Sequence, residues 1–578
     1  MKKRNNDNIS FVPIYIVCFI PLVMWGNILE LNLSQYAWFP NREEGMDFFL
    51  ASKQAVLCSA VLLMIILMGN MAVKKTILGV WKQNTKKLWL FIPLGIYIAM
   101  SIVSTCCSDY RTFGFEGGMD NYESIWVVAG YGITAVYGWT AIDGAKNPEW
   151  AREHILTVLT MVLMAVGLIG TMQTLGFDPL CTKAVSALVL HGRLAGMQIT
   201  SIADKAYATL YNPNYLGVMG VMTIPLLLAK ALSAKTQLRK AVYAVSCVLM
   251  TVAFWGSGSK TGRVMLGVCL FVFLLIYTKK IWFKTVCLGA GLIGLAAVAV
   301  FLAGISGKFE QKRNTVIQSI CTNENNVELK CHDKEIVMAI DIYGSSMPEI
   351  VTVCDSEGIP YQMECDKDDV LHFADNLFPE LTVTAVQYEN YISIDLREEK
   401  QDGNIRHWYF TNQTQDGTYQ YVTVFGKTER IDSSEVRIFS PMQGRESSIS
   451  GRGYIWSRSI PLLADYLVLG SGQDSFTLIF PNQDYLGKAA YDFENVLISR
   501  AHSLYLQIGI QSGGIALVAY IIFFAMLLVR LCKKRDNPLA AALFVSILGY
   551  FLMGLTNDSS VTTTPIFFLL TALGLSLY

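Results

Sequence analysis

The chain has 578 residues, of which 53% are hydrophobic and only 16% are charged. Soluble proteins carry about 25% charged residues, so this composition excludes an ordinary soluble globular protein and indicates a membrane protein. The formal net charge is zero, so the total charge points to no particular partner, and we predict no nucleic-acid partner.

Hydrophobic runs of about 20 residues, the length that crosses a hydrocarbon core of about 30 Å, recur along the chain. The first run is too long for a cleaved signal peptide, and we interpret it as an anchor. The runs predict twelve transmembrane helices, near 10–31, 54–73, 88–107, 123–142, 155–175, 214–232, 241–257, 263–278, 283–305, 503–531, 539–556 and 563–578.

Lysine and arginine residues cluster in every second loop, as the positive-inside rule expects of cytoplasmic loops. The clusters lie at 2–4, 74–87, 146–152, 230–240, 279–284 and 530–535. With twelve helices, this alternation places both termini in the cytoplasm and places the loop 176–213 and the segment 306–500 outside it. We therefore predict a multi-pass protein of the cytoplasmic membrane.

The composition changes at residues 306–450, where polar residues replace apolar ones and acids outnumber bases. Hydrophobic residues alternate with period two at 350–355, 391–396 and 419–426, with glycine-containing turn signals between them, which predicts a β-rich domain of the sandwich type. Four aromatic residues of this segment fit either its core or a sugar-stacking surface, namely Trp408, Tyr409, Tyr419 and Tyr421. Aromatic residues at strand spacing are more often part of a core.

Four cysteines lie in this exported segment, where disulfides can persist. They are Cys321, Cys331, Cys354 and Cys365. Two bridges, with three possible pairings, and four free thiols are both compatible with the sequence.

Histidine and basic residues mark the predicted outer face. His502 lies in RAHSLYLQIGIQSGG (Arg500–Gly514), where the polar segment meets an apolar helix, and an ordinary pKa of about 6.5 suits histidine to proton transfer. The turn GSGSKTGR (Gly256–Arg263) lacks the spacing of a nucleotide-binding P-loop, so its cations fit either lipid head groups or a phosphate site. In YNPNYLG (Tyr211–Gly217), Asn212 and Pro213 suit a helix start.

Four stretches together resemble the O-antigen ligase and polymerase superfamily of polytopic bacterial membrane proteins. Tyr211–Gly217 is similar to the family's Asn-Pro-Asn start of a span, and Ser257–Gly262 is similar to its Ser-Arg-Gly turn. Arg452 and Trp456 match an arginine followed by Ile-Trp, ahead of Gly-x-Gly-x-x-x-Phe at 470–476. The fourth stretch, 501–513, resembles the family's Ala-His-Asn-x-Tyr-Leu-Gln pattern.

The resemblance covers the membrane part and leaves out 306–450. Two residues depart from the family pattern. Lys260 stands in place of an arginine and loses the bidentate geometry that a guanidinium offers to phosphate. Ser503 stands in place of the asparagine that follows the histidine.

The resemblance implies a helical, GT-C-like membrane protein that transfers a glycan from an undecaprenyl-diphosphate-linked donor to a glycan, lipid or protein acceptor. It implies His502 and Arg452 as catalytic residues and a substrate-binding set of Arg193, Lys260, Arg263 and Asn214. We expect no cofactor and no metal. The organisation is then helices 1–9 at 1–305, an extracytoplasmic β-rich domain at 306–450, an extracytoplasmic catalytic loop at 451–502 and helices 10–12 at 503–578.

Three functions remain compatible with the sequence. A polymerase would join lipid-linked repeat units, and a ligase would move a finished glycan to a lipid or protein acceptor; we favour the polymerase. A transporter or channel is the alternative from another class, but the sequence shows neither an internal repeat nor paired interrupted spans. The β-rich domain offers a surface on which other polysaccharide assembly proteins could dock.

Overall fold

The computed structural model describes residues 9–118, 120–201, 204–277, 313–341, 350–400, 402–449 and 451–577. The helices of the first part are α1 (Val12–Phe19, extended by a 3-10 turn, Ile20–Leu22), α2 (Leu50–Val73), α3 (Thr76–Gln83), α4 (Thr85–Leu88), α5 (Phe91–Cys107), α6 (Arg111–Glu116), α7 (Ile125–Gly144), α8 (Pro148–Thr174), α9 (Lys183–Val189), α10 (Pro213–Ser233), α11 (Gln237–Gly256) and α12 (Lys260–Tyr277). The helices of the last part are α13 (Arg452–Asp465), α14 (Phe476–Ile479), α15 (Tyr485–Ala490), α16 (Leu504–Ser512), α17 (Gly514–Lys533), α18 (Pro538–Met553) and α19 (Thr564–Ser576).

Within the described residues, six helices are long and apolar enough to cross a membrane, namely α2, α7, α8, α10, α11 and α17. Shorter apolar helices accompany them, among them α5, α18 and α19. These helices agree with a polytopic membrane protein, whereas the number twelve stays a prediction. The predicted helix at 283–305 lies outside the described residues.

Asparagine followed by proline begins three of the apolar helices. The side chains of Asn147, Asn212 and Asn537 each accept a hydrogen bond from a backbone N–H of the first turn of α8, α10 and α18. Proline fits the next position because the first helical N–H has no partner within the helix. The helix start predicted at Asn212 and Pro213 is therefore confirmed.

Two of the predicted spans differ in the structure. The run at 10–31 is helical only to Leu22, because β1 (Asn27–Glu30) pairs with β2 (Glu44–Asp47) in an antiparallel hairpin. The run at 503–531 divides at Gly513, which has φ +88°. A Cβ atom there would lie 2.7 Å from the carbonyl oxygen of Val468, so the close approach of the 466–470 turn requires glycine.

The β-rich segment forms two antiparallel sheets. One sheet has the order β3 (Ile317–Thr322), β4 (Val327–Cys331), β5 (Lys334–Asp341), β6 (Ile350–Cys354). The other has the order β13 (Thr428–Glu429), β12 (Gln420–Val422), β11 (Ile405–Thr411), β10 (Tyr391–Glu399), β9 (Leu381–Tyr388), β8 (Leu371–Phe373), β7 (Met363–Cys365). Side chains of both sheets share one core, as the alternating pattern of the sequence predicts.

Three of the four aromatic residues in question belong to that core. Trp408, Tyr419 and Tyr421 are buried, whereas Tyr409 is partly exposed on the other face of the sheet. The four cysteines of the segment are free thiols, and Cys365 is exposed. The two-bridge alternative is therefore not realised.

The β-rich segment is held to the helical part through the loop between α1 and α2. Lys427 Nζ donates hydrogen bonds to the backbone carbonyls of Ser34, Tyr36 and Phe39. In return, Asn41 donates to the carbonyl of Phe425. These contacts join the turn after β12 to a small apolar cluster around Trp38 and Phe39.

Candidate active site

The four stretches that carry the family resemblance meet in the structure. Gly217 packs on Ser259, where an added Cβ would lie 2.7 Å from the serine side chain. The Arg500 guanidinium lies over the ring of Tyr215, 5.4 Å from its centre. Trp456 Nε1 donates to the carbonyl of Ala501, 3.0 Å away.

The glycine-rich turn at 470–476 joins the same assembly. The N–H of Ser471 donates to Ile510, and the N–H of Gly472 donates to Gln511. The Ser104 hydroxyl donates to the carbonyl of Gln511 and accepts from the N–H of Gly472, so α5 holds this corner as well. Residues distant in sequence are thus placed along α16, with Ala501 before its start and Gln511 near its end.

His502 pairs with a carboxylate from the loop between α18 and α19. Its Nδ1 lies 3.1 Å from Asp558 Oδ2, and the other oxygen of Asp558 accepts the N–H of Ser503 at 3.0 Å. The Asp558 side chain is 4% exposed and that of His502 is 39% exposed. One buried carboxylate therefore orients the imidazole and caps α16, while the ring keeps contact with solvent.

The backbone of His502 has φ +50°, in the left-handed region. Histidine enters this region more readily than bulky or β-branched residues do. The surrounding hydrogen bonds fix it there, because Ala501 donates to Gln507 Oε1 and the N–H of Leu504 donates to the carbonyls of Gly554 and Asn557. The backbone around His502 is therefore held by α16 and by the loop between α18 and α19.

Arg452 is the first residue of α13 and lies close to the same carboxylate. Gly451 before it has φ +83°, and the Arg452 Nε is buried without a hydrogen-bond partner. Burial holds the pKa of Arg452 below its usual value, and the charge of Asp558 opposes that shift. A guanidinium nitrogen without a partner is ready to donate to an added anion.

Arg500 supplies a second guanidinium, and this one is buried. It is 6% exposed, and its charge acts on Glu123, a carboxyl group that accepts hydrogen bonds from the hydroxyls of Tyr131 and Ser559. Burial raises the pKa of Glu123 to about 6, and the negative charge of Asp558 acts in the same direction. The site therefore contains two arginines, one histidine and two carboxyl groups.

Arg452 and Arg500 differ from the two buried arginines that form ion pairs in the described chain. Arg406 and Arg458 each form direct ion pairs with carboxylates, at 3.0 Å to Glu398 and 3.0 Å to Asp484. No ion pair of that kind is found for Arg452 or Arg500 among the residues that the structure describes. Arg500, which is buried, and Arg452, which is partly buried, thus each carry a positive charge without a direct carboxylate partner in the described part of the chain.

Asp474 organises the loop that carries Glu123. Its Oδ2 accepts the backbone N–H groups of Gly118 and Glu123, each at 2.8 Å. Burial raises the pKa of Asp474 to about 8, with Glu123 adding to the shift. The turn at 470–476 therefore positions Glu123 through a single carboxyl oxygen.

The predicted substrate-binding residues divide into two groups. Asn214 is partly buried in the first turn of α10, next to the Tyr215 that contacts Arg500. Lys260 is exposed at the start of α12. Arg263 lies over the ring of Trp255, at 4.5 Å, and Arg193 forms an exposed bidentate pair with Glu44, at 2.8 and 2.9 Å. Arg193 is thus bound by Glu44 and Arg263 by Trp255, and neither partner belongs to the cluster around His502.

Residues 417–521 match a protein family described as O-antigen ligase. This region is similar to O-antigen ligases, and we call it the ligase domain. A comparison with curated proteins found no match. The ligase domain begins at Gly417, so it includes the end of the β-rich segment that the sequence interpretation had left outside the resemblance. It contains Arg452, Arg500 and His502, and the match supports the O-antigen ligase and polymerase superfamily.

Three members of the cluster were missed from the sequence. Arg500 lies inside the ligase domain, two residues before His502, whereas Glu123 and Asp558 lie outside it. Asp558 follows Asn557 in a short loop between two apolar helices. An acidic residue in such a loop is the sequence feature that could have marked it as a site residue. Glu123 carried no such signal, because its loop is polar and glycine-rich throughout.

Proposed function

We propose that this protein transfers a glycan from an undecaprenyl-diphosphate-linked donor to an acceptor hydroxyl on the outer face of the cytoplasmic membrane. The supporting observation is the pairing of His502 with Asp558, together with the buried Arg500 and the partly buried Arg452, for which the described residues provide no direct carboxylate partner. The ligase domain indicates the same class of function, in polysaccharide assembly.

His502 acts as the general base. With Nδ1–H donated to Asp558, the lone pair is on Nε2, and this nitrogen takes the proton of the acceptor hydroxyl as its oxygen attacks the anomeric carbon. Asp558 holds the imidazole in this tautomer and stabilises the imidazolium that forms. The proton then leaves to solvent through the exposed edge of the ring.

Arg452 and Arg500 stabilise the leaving group. The bond between the anomeric carbon and the phosphate oxygen breaks as the new glycosidic bond forms, and the electron pair remains on the lipid diphosphate. Guanidiniums bind phosphate oxygens in pairs, and their benefit is larger where water is excluded. The products are the extended acceptor and undecaprenyl diphosphate, and no oxidant or further reactant is needed.

We favour polymerisation of repeat units, with the acceptor a second glycan. Ligation of a finished glycan to a lipid or protein acceptor is the alternative, and both use the same chemistry. Transfer is proposed to need no metal ion, because His502 supplies the base and the arginines supply the positive charge. A strict requirement of the purified protein for Mg²⁺ would contradict this.

The test replaces the gene with His502→Ala or Arg452→Ala and sizes the surface glycan. Glycans of a single unit would identify a polymerase. Full-length chains that stay on the polyprenyl carrier would identify a ligase. Normal glycan from both variants would reject the site. Arg193→Ala is the matched control, since its guanidinium is engaged by Glu44, and it is expected to give normal glycan.

A further inference from the structure

A cavity of about 310 Å³ lies where the β-rich segment meets the loop that leads to His502. Its volume falls in the range of small-molecule sites, about 300–1,000 Å³. The walls include the side chains of Trp38, Tyr388, Tyr409, Phe425, Lys400 and Glu494. None of these residues belongs to the cluster around His502.

Parallel aromatic rings line one side of the cavity. Tyr388 and Tyr409 stack with 3.6 Å between ring centres and 10° between planes, and His407 lies parallel to Tyr409 at 5.6 Å. Tyr409 points away from the core, which is filled by its strand neighbours Trp408 and Phe410. The packing of the domain therefore leaves faces and edges of these rings available.

Two apolar side chains at the rim of the cavity are exposed to solvent. Ile405 and Val424 line the cavity, and both are more than half exposed. Exposed apolar groups gathered around a concave site are characteristic of ligand binding. Together with the aromatic rings, Ile405 and Val424 favour a ligand that has an apolar face.

The charged groups of the cavity largely neutralise one another. Arg406 pairs with Glu494 and Glu398, and Lys400 lies 3.7 Å from Glu494. Lys488, also in the wall, donates to Asn482 Oδ1. Among the described residues, the walls therefore hold no cluster of unpaired charges with which to select a highly charged ligand. It offers hydrogen-bonding groups beside apolar surfaces, which matches a sugar ring, with its C–H face and hydroxyl edge. We propose that this cavity binds a saccharide unit of the glycan.

The position of the cavity links it to the reaction. Its wall includes Lys488 and Glu494, and Phe493 between them packs on Gly451 and stacks on Tyr454 at 4.9 Å. The segment that lines the saccharide site therefore also supports the start of α13, which carries Arg452. This assignment rests on the proposed function, and it makes the β-rich segment the part that holds the body of the glycan while one end reacts.

The test is direct binding to the full-length protein in lipid nanodiscs. The probes are oligosaccharides released by mild acid from the surface polysaccharide of the host cell and separated by size. We expect Tyr409→Ala to weaken binding about tenfold, through loss of one aromatic contact. Ile405→Asp, at the rim, is expected to weaken binding too, while Ile359→Asp is the matched control at an equally exposed isoleucine away from the cavity.

The proposal is overturned if the wild-type protein binds none of the oligosaccharides, or if Tyr409→Ala and Ile405→Asp bind them like Ile359→Asp. His502→Ala separates the two proposals. It should bind the oligosaccharides normally and yet leave the surface glycan unassembled. Normal surface glycan from His502→Ala would reject the catalytic site. The saccharide site would then be judged by the binding measurements alone.

Discussion

His502 and Asp558 are 56 residues apart in sequence, and their side chains meet at 3.1 Å. The carboxylate comes from the loop between the last two helices, and the imidazole comes from the end of the segment that precedes α16. The same carboxylate accepts the Ser503 N–H. The imidazole of His502 and the start of α16 thus depend on one acidic side chain.

Asp558→Asn is expected to lower the rate of glycan transfer by roughly 10²–10⁴-fold, the range in which a carboxylate that orients a catalytic histidine contributes. The amide oxygen can still accept the Ser503 N–H, so the protein should fold. Transfer to a defined acceptor by the purified variant measures the effect. Asp536→Asn, an exposed aspartate in the α17–α18 loop, is the control. A variant as fast as the wild type would remove Asp558 from the mechanism.

Arg500→Gln is expected to reduce transfer by roughly 10²–10³-fold, because a desolvated donor to the leaving group is lost. Arg500→Lys should recover only part of the rate, since it keeps the charge and loses the planar fork. Arg193→Gln breaks an exposed pair worth about 0–1 kcal/mol and should leave the rate near that of the wild type. Equal effects of the glutamine variants at both positions would contradict the distinction that the structure makes between these arginines.

Asp474→Asn is expected to flatten the dependence of stability on pH. The carboxyl pKa is raised to about 8 in the folded protein, against about 3.9 in an unfolded chain. The folded state therefore binds the proton more tightly, and stability is lost as pH rises from about 4 to about 8. Asparagine does not ionise, and its amide oxygen can accept the Gly118 and Glu123 N–H groups. The midpoint of thermal aggregation, followed from pH 4 to 9 for both proteins, should diverge towards high pH.

Lys427→Met is expected to release the loop between α1 and α2 from the β-rich segment. Three backbone carbonyls lose their donor, at a cost of about 1–3 kcal/mol for each group left buried without a partner. Hydrogen exchange of residues 31–40 should accelerate in this variant. Lys367→Met, at an exposed lysine of the same segment, should leave that exchange unchanged. Unchanged exchange in Lys427→Met would show that the apolar cluster around Trp38 suffices.

Cys365 reports on the predicted location of the β-rich segment. It is an exposed free thiol, whereas Cys331 is buried. A maleimide that does not cross membranes should label Cys365 in intact cells of a variant that keeps only this cysteine. A variant that keeps only Cys331 should label only after denaturation. Labelling of Cys365 that requires cell lysis would place the segment on the cytoplasmic side.

Local patterns in the sequence predicted much of the fold. The pair Asn212–Pro213 predicted the start of α10, and period-two alternation predicted β6 and β10. The first span was overestimated because the pairing of Asn27–Glu30 with Glu44–Asp47 is a contact between separate stretches that hydropathy does not register. The split at Gly513 depends on its approach to Val468, which is likewise a tertiary contact.

The candidate site was predictable only where the ligase motifs run. Those motifs include Arg452 and His502, and they stop before Asp558. In the sequence, Arg193, Arg263 and Arg500 all read simply as positive charges. In the structure, Glu44 binds Arg193 and Trp255 binds Arg263, whereas Arg500 is buried without a direct carboxylate partner among the described residues. That difference lies in burial and pairing, and these follow from the three-dimensional arrangement.

The break at Gly513 bears on how deep in the membrane the reaction takes place. α17 begins immediately after it and has 20 residues, about 30 Å of helix and thus enough by itself to cross the hydrocarbon layer. In the proposed topology, α16 and His502 lie above that layer, at the height of the lipid phosphates. Under the proposed function, a lipid-linked donor would keep its isoprenoid tail among the acyl chains while its diphosphate and sugars lie level with His502. The carrier would then need no extraction from the bilayer.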